Sequence, residues 1–320
     1  MSVMNISALS DESLNIRYSF SGHETFPFRY TWLPKGVWHS QDQPGLFVAD
    51  DALVTLGVGK NMVKSIRYWC EATEVIERVD KKGSVRVTEL GEKLLGPERW
   101  DPYLEDPGTL WLLHWQLVRN PSRSSTWHLA FTRWSSERFT REQLIDWLSR
   151  LVASEQSRTQ TTPASLRRDV EVFLRTYTPS KARRDLPPED TFDCPLVELG
   201  LIRDGDNGVY EFVRGPKPTL PDEIFLYALV DFWNSTAPQQ GTISFESILY
   251  GAGSPGGAFR LSENALAERL ERLPTWTGFS YDDTAGLRVV LRRDLDPDEQ
   301  LEPMRVLERY YTEDLVEVGT

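Results

Sequence analysis

Residues 50–95 carry, in order, a short helix pattern, a tight glycine turn, a second helix pattern and a hairpin, and that order leaves few folds open. Residues 50–56 read as the first helix, and Gly57-Val-Gly59 as a turn whose glycines can take positive φ. Residues 60–73 place Met62, Ile66, Trp69 and Cys70 at helical spacing. Residues 75–79 and 84–88 alternate apolar and polar side chains around Asp80-Lys-Lys-Gly83, a hairpin signature, and 88–95 turn back into a short helix. The expectation is a winged helix-turn-helix. In such a unit the second helix must bury one face and show a cationic one. Met62, Ile66 and Trp69 can form the inner stripe; Lys60, Lys64 and Arg67, spaced by four and three, share another face. With Asn61 on the helix and Lys81 and Lys82 at the wing tip, they are the candidate contacts to double-stranded DNA. The alternative use of the same unit is protein docking, since a fold does not dictate its partner.

Around this unit the chain divides into five expected parts. Residues 1–49 are aromatic and turn-rich and contain Gly22-His-Glu24; 50–98 are the winged unit; 99–185 read as helical, with Trp111, Trp115, Trp127, Trp134 and Trp147 as core. Thr140 is placed to cap a helix, and 163–177 read as another helix with Arg167, Arg168 and Arg175 outward. Residues 185–190 read as a linker. A second winged-helix-like part is expected over 186–293, its recognition helix carrying Glu263, Glu268 and Glu271 against Arg269 and Arg272, which suits docking better than DNA. Residues 294–320 form an acidic C-terminal helix or tail. The fold class expected is mainly α with small β wings, α+β, two winged units around a helical middle.

The net charge of −12 does not exclude nucleic acid, because the charge is unevenly spread. Nine carboxylates face two arginines over 294–320, whereas seven basic residues face Asp169 and Glu171 over 158–184. DNA senses the field within about 10 Å. Arg167 and Arg168, inside that basic stretch, join the candidate DNA contacts. No apolar run approaches the roughly 18 residues a membrane span needs, and the N-terminus lacks a signal-peptide pattern. Two cysteines, Cys70 and Cys194, are too few for a disulfide framework or a cysteine-based zinc site. A cytoplasmic protein is expected.

Little else points to chemistry. Gly57-Val-Gly-Lys60 lacks the full spacing of a phosphate-binding loop, and the glycines of 251–257 read as a flexible turn. His114 and His128 lie among tryptophans and read as packing residues. Ser21-Gly-His23-Glu24-Thr25, followed by Arg29, does combine an imidazole, a hard carboxylate and a guanidinium. His23, Glu24 and Arg29 are therefore the candidate catalytic residues and Glu24 the candidate ligand of a divalent metal ion, magnesium being the first choice. Neighbours on an extended chain point to opposite faces, so His23 and Glu24 need an irregular turn to act together. A purely structural turn, hydrogen-bonded to backbone, is the competing reading.

Three stretches resemble a bacterial family: residues 20–36, beginning Phe20-Ser-Gly-His-Glu-Thr-Phe-Pro-Phe-Arg-Tyr; residues 56–70, Leu56-Gly-Val-Gly-Lys-Asn-Met-Val-Lys-Ser-Ile-Arg-Tyr-Trp-Cys70; and residues 190–202. They are similar to the SspB family, domain of unknown function 4007, whose members occur beside genes for DNA phosphorothioate modification. The similarity runs from about Tyr18 to the end of the second wing. It implies a DNA nickase component of an antiviral phosphorothioation system, acting with a cysteine desulfurase, an ATPase and an ATP-pyrophosphatase-like sulfur transferase. It supplies no active-site residues; His23, Glu24 and Arg29 rest on their own motif. A non-catalytic DNA-reading adaptor that recruits the sulfur-transfer enzymes and a winged-helix transcriptional regulator are the rival expectations.

Overall fold

The computed structural model describes residues 17–96, 100–154, 161–180, 194–284, 286–293 and 301–317. The class is α+β, with helices dominating and, among the described residues, three small antiparallel sheets. The linker expected over 185–190 and the outer parts of the basic 158–184 stretch lie outside the described residues.

The first helix is one that local sequence argues against. α1 (Trp32–Asp42) contains Pro34 and Gly36 and lies in the segment expected to be turn-rich. Pro34 sits in the first turn, where its missing N–H costs no helical bond. A Cβ on Gly36 would lie 2.3 Å from Cys70 Sγ, so glycine is what lets α1 close onto α3. α2 (Ala52–Leu56) ends at Gly57, whose φ of 64° turns the chain into α3 (Lys60–Ala72). Val63, Ile66, Trp69 and Cys70 of α3 are buried, with Met62 at the margin. β1 (Ile76–Arg78) and β2 (Val85–Val87) pair with Ile76 opposite Val87. Asp80 holds their turn by accepting from Ser84 Oγ at 2.8 Å and from the backbone N–H of Ser84 at 3.0 Å and of Gly83 at 2.7 Å, and these bonds, the Ser84 hydroxyl first, lower its pKa. Val85 N–H also donates to Pro44 O at 2.9 Å, which ties the turn after α1 to β2. α4 (Glu89–Leu95) starts from Thr88, whose Oγ1 accepts from Gly91 N–H at 3.0 Å.

The middle part is not purely helical. After α5 (Pro107–Arg119) and α6 (Ser125–Thr132) the chain forms β3 (Arg138–Thr140), α7 (Arg141–Ser154) and α8 (Pro163–Tyr177). β4 (Ile202–Asp204) and β5 (Val209–Phe212) then return to give the sheet order β3-β5-β4, with Phe139 opposite Tyr210. Strand pairing therefore crosses position 186, where the sequence suggested a boundary. β3 is three residues long and its partner is about seventy residues away, so no local pattern announces it. Thr140 and Gln143 cap α7 reciprocally, Gln143 N–H donating to Thr140 Oγ1 and Thr140 N–H to Gln143 Oε1.

The last part repeats that topology. α9 (Asp222–Thr236) leads to β6 (Thr242–Ser244), α10 (Phe245–Tyr250), α11 (Pro255–Ala258), α12 (Glu263–Glu271), β7 (Phe279–Thr284) and β8 (Leu287–Arg292), in the order β6-β8-β7. α13 (Pro303–Glu317) is not a loose tail. Val306, Leu307 and Tyr311 are buried, Tyr311 stacks on Trp100 with ring centroids 4.7 Å apart, and Lys93 pairs with Glu308. Burying Val306 and Leu307 contributes about 1.5–3 kcal/mol each. Trp111, Trp115 and Trp127 are fully buried, and both cysteines are buried free thiols, as their patterns suggested. One continuous hydrophobic core runs from Tyr18 to Tyr311. No described helix is long and apolar enough to cross a membrane.

Candidate nucleic-acid interface

The turn that carries Gly22-His-Glu24 is irregular in the way joint action of its side chains would require. Ser21, Gly22, Glu24 and Thr25 all have positive φ, at 113°, 118°, 48° and 72°. Three of these are not glycine, a conformation that persists only where surrounding bonds over-determine it. Those bonds converge from three helices. Ser65 Oγ of α3 donates to His23 O at 2.9 Å. Asp169 of α8 accepts from Ser21 N–H at 2.8 Å, from His23 Nε2 at 2.7 Å and from Thr126 Oγ1 of α6. Arg175 of α8 donates to Thr25 O at 3.2 Å.

The turn separates His23 from Glu24 rather than joining them. His23 points inward: its side chain is 2% exposed, against 1% for Asp169. Thr25 N–H donates to Nδ1 at 3.2 Å, so Nε2 carries the proton given to Asp169. Tyr68, Trp69 and Trp127 ring the imidazole, and burial followed by the nearby Asp169 charge pushes the Tyr68 phenol well up. Glu24 points outward to Lys64, Oε1 to Nζ being 3.2 Å. Arg29 is half-buried with its guanidinium over the Trp32 ring, at the start of α1.

The candidate DNA contacts fall into two groups. Lys60, Asn61 and Lys64 are exposed on α3, Lys81 and Lys82 at the hairpin turn, and Arg167 and Arg168 on α8. Arg67 is set apart, its side chain only 17% exposed. Its Nε donates to Glu71 Oε1 at 2.8 Å, and its NH1 would be 3.1 Å from a Cβ on Gly83, so it sits under the hairpin turn. Glu71 also gathers Arg78 at 3.3 Å and Arg123 at 2.9 Å. A buried carboxylate four residues along the same helix thus draws Arg67 into the domain. Asp169, Thr126, Ser65 and Arg175 were not legible as a group. One sign was available: Asp169 interrupts the inward stripe Leu166, Val170, Phe173 of α8, and a carboxylate there needs a buried partner.

Among the described residues no three His, Cys, Asp or Glu side chains are grouped to hold a metal ion. Of the other histidines, His114 is fully buried between Tyr177 and Ala258 O, and burial drives its pKa down to about 3. His128 bonds Val118 O at 2.7 Å and is lowered by burial as well.

Comparison with known proteins now adds to this geometry. Residues 20–311 match the model of the family described as protein of unknown function DUF4007. A magnesium ion-bound crystal structure of SspB superposes with a TM-score of 0.81 at 33% sequence identity, covering 94% of this chain and 90% of that one. A further SspB crystal structure gives 0.81 and 33%, over 93% and 89%. A comparison with curated protein sequences finds no match.

Proposed function

This chain belongs to the SspB family, that of DUF4007, and from that premise we propose that it is the double-stranded-DNA-binding component of the Ssp phosphorothioation system, engaging DNA through α3. The observation that carries the reading is the outward face of α3. Lys60, Asn61 and Lys64 are exposed there, and the helix exposes no carboxylate. In the helix–turn–helix–hairpin reading of residues 50–95, α3 is the recognition helix, with Lys81 and Lys82 reaching phosphate at the wing tip. Arg67 is reassigned to a supporting role, pinning the hairpin turn to α3. The partners are then the family's sulfur-transfer enzymes: a cysteine desulfurase, an ATPase and an ATP-pyrophosphatase-like protein.

Strand nicking is the second reading, favoured by the magnesium held by the SspB relative and by the half-buried, outward-facing carboxylate of Glu24 beside Lys64. Magnesium commonly uses one or two carboxylates together with substrate phosphates, so Glu24 suits it as one ligand of a site that DNA would complete. Such an ion polarises a phosphate and lowers the pKa of water. Lys64 would hold the phosphate close, and His23, enclosed on Asp169, would fix the turn rather than take a proton. Binding of supercoiled plasmid, with and without magnesium, tests both readings. Lys60→Glu with Lys64→Glu weakens binding by about tenfold or more if the first is right. Glu24→Gln abolishes magnesium-dependent nicking but keeps binding if the second is right. Wild-type protein that binds without nicking leaves the adaptor role.

A further inference from the structure

Among the described elements, three helices precede a hairpin along the chain: α3 before β1–β2, α8, with a short 3-10 turn (Pro195–Leu199) between, before β4–β5, and α12, with another (Thr275–Thr277), before β7–β8. In the second and third units the sheet order is also the same, the leading strand pairing with the last. Their exposed faces differ sharply. α12 shows Glu263, Asn264, Glu268 and Glu271, and its Arg269 is buried on Asp222. α8 shows Arg167, Arg168, Glu171 and Arg175, spaced along one stripe, while its sole other carboxylate, Asp169, is turned inward. Arg167 and Arg168 have no carboxylate partner among the described residues.

The turn 21–25 joins α8 to α3. Lys64 reaches Glu24 and Arg175 reaches the next residue's carbonyl, so one cation from each helix meets at the rim of that turn. Beneath that rim Ser65 and Asp169 hold His23 from opposite sides. The two helices cannot tilt independently without breaking buried bonds to the same residue.

We infer that α3 and α8 grip one DNA duplex as a fixed pair, with the His23–Asp169 bridge as the spacer between them and α12 left out of the contact. This rests on the reading of α3 as a DNA-binding helix and extends it to a second unit of the same chain. Each helix alone would satisfy about one turn of duplex, roughly 10 base pairs; two held side by side need a longer piece. His23 and Asp169 are positioning residues in this account, acting through the helices they hold.

The test is affinity against duplex length, measured with the full chain on duplexes of about 10, 15, 20 and 25 base pairs at one salt concentration. Wild-type protein should gain about tenfold or more beyond the increase in the number of sites as the duplex passes from one turn to two. Arg167→Glu with Arg168→Glu, both on the exposed face, should lose that gain, so that its deficit against wild type grows with duplex length. Asp169→Asn, in a fraction shown to be folded by its circular dichroism, should lower the gain without changing the salt slope on the short duplex. An α8 variant that follows the wild-type curve at every length, or falls equally at every length, overturns the paired grip while leaving α3 as the DNA helix. Loss of length dependence in the wild type itself also overturns it. If Lys60→Glu with Lys64→Glu binds as wild type does, the DNA reading falls and the pair with it.

Discussion

α3 and α12 occupy the same place in their units, each the helix before a hairpin, yet they offer opposite surfaces. α3 begins Lys60-Asn61 and α12 begins Glu263-Asn264; both asparagines are exposed, and the residues around them carry opposite charge. The supports differ too. α3 is tied through Ser65 to a turn anchored on the buried Asp169, whereas α12 is tied through Arg269 and Arg272 to Asp222, which is 38% exposed. Topology alone therefore says little about what each unit binds. The outward charge and the depth of the supporting carboxylate carry that information.

The largest effect that would sharpen the contrast is on stability. Asp169→Ala leaves His23, Thr126 and the Ser21 N–H without their acceptor and should cost about 3–5 kcal/mol in denaturant unfolding. Asp222→Ala, at a more open pair, should cost about 1 kcal/mol or less. Equal losses would erase the distinction between a buried and a rim support.

Next is an acid effect confined to the seam between α5 and α11. His114 is protonated in the unfolded chain below its ordinary pKa of about 6.5 but stays neutral in the fold down to about 3. The unfolded state binds the extra proton in that window, so stability falls as pH drops from 6.5 towards 3. The slope is about 1.4 kcal/mol per pH unit, or roughly 2 kcal/mol at pH 5. His114→Gln should flatten that part of the stability profile. An unaltered profile would mean that other groups set the acid limit.

Smaller in energy but closer to function, Lys60→Glu with Lys64→Glu should weaken duplex binding by about tenfold or more. It should also lower the slope of log affinity against log salt by about 2. The smallest change is expected from Glu263→Lys with Glu268→Lys on α12, which should leave affinity within about twofold, since that face lies outside the DNA contact. A large gain there would bring α12 to the duplex and break the comparison.

What the sequence made legible follows from how local each signal is. α8 appears at the bounds its periodicity and Pro163 suggest, and the hairpin of β1 and β2 follows from Asp80-Lys-Lys-Gly83. α1 escaped because Pro34 and Gly36 argue against a helix that packing against Cys70 then favours. β3 escaped because three residues make no pattern without their distant partner. At the candidate interface the exposed lysines of α3 were readable, but the inward turn of Arg67 depends on Glu71 and the hairpin together. The role of His23 depends on Asp169, 146 residues away, which no spacing rule could supply.

The central claim, that DNA lies on α3 and not on α12, can be read from two matched positions. Cys70 and Cys194 are buried, so a single cysteine placed at Asn61 or at Asn264 can be labelled selectively with a short photo-crosslinker. Irradiation with a labelled duplex of about 20 base pairs should give a protein–DNA adduct from position 61 and none above background from position 264. Adducts of equal yield from both positions, or from 264 alone, would contradict the account.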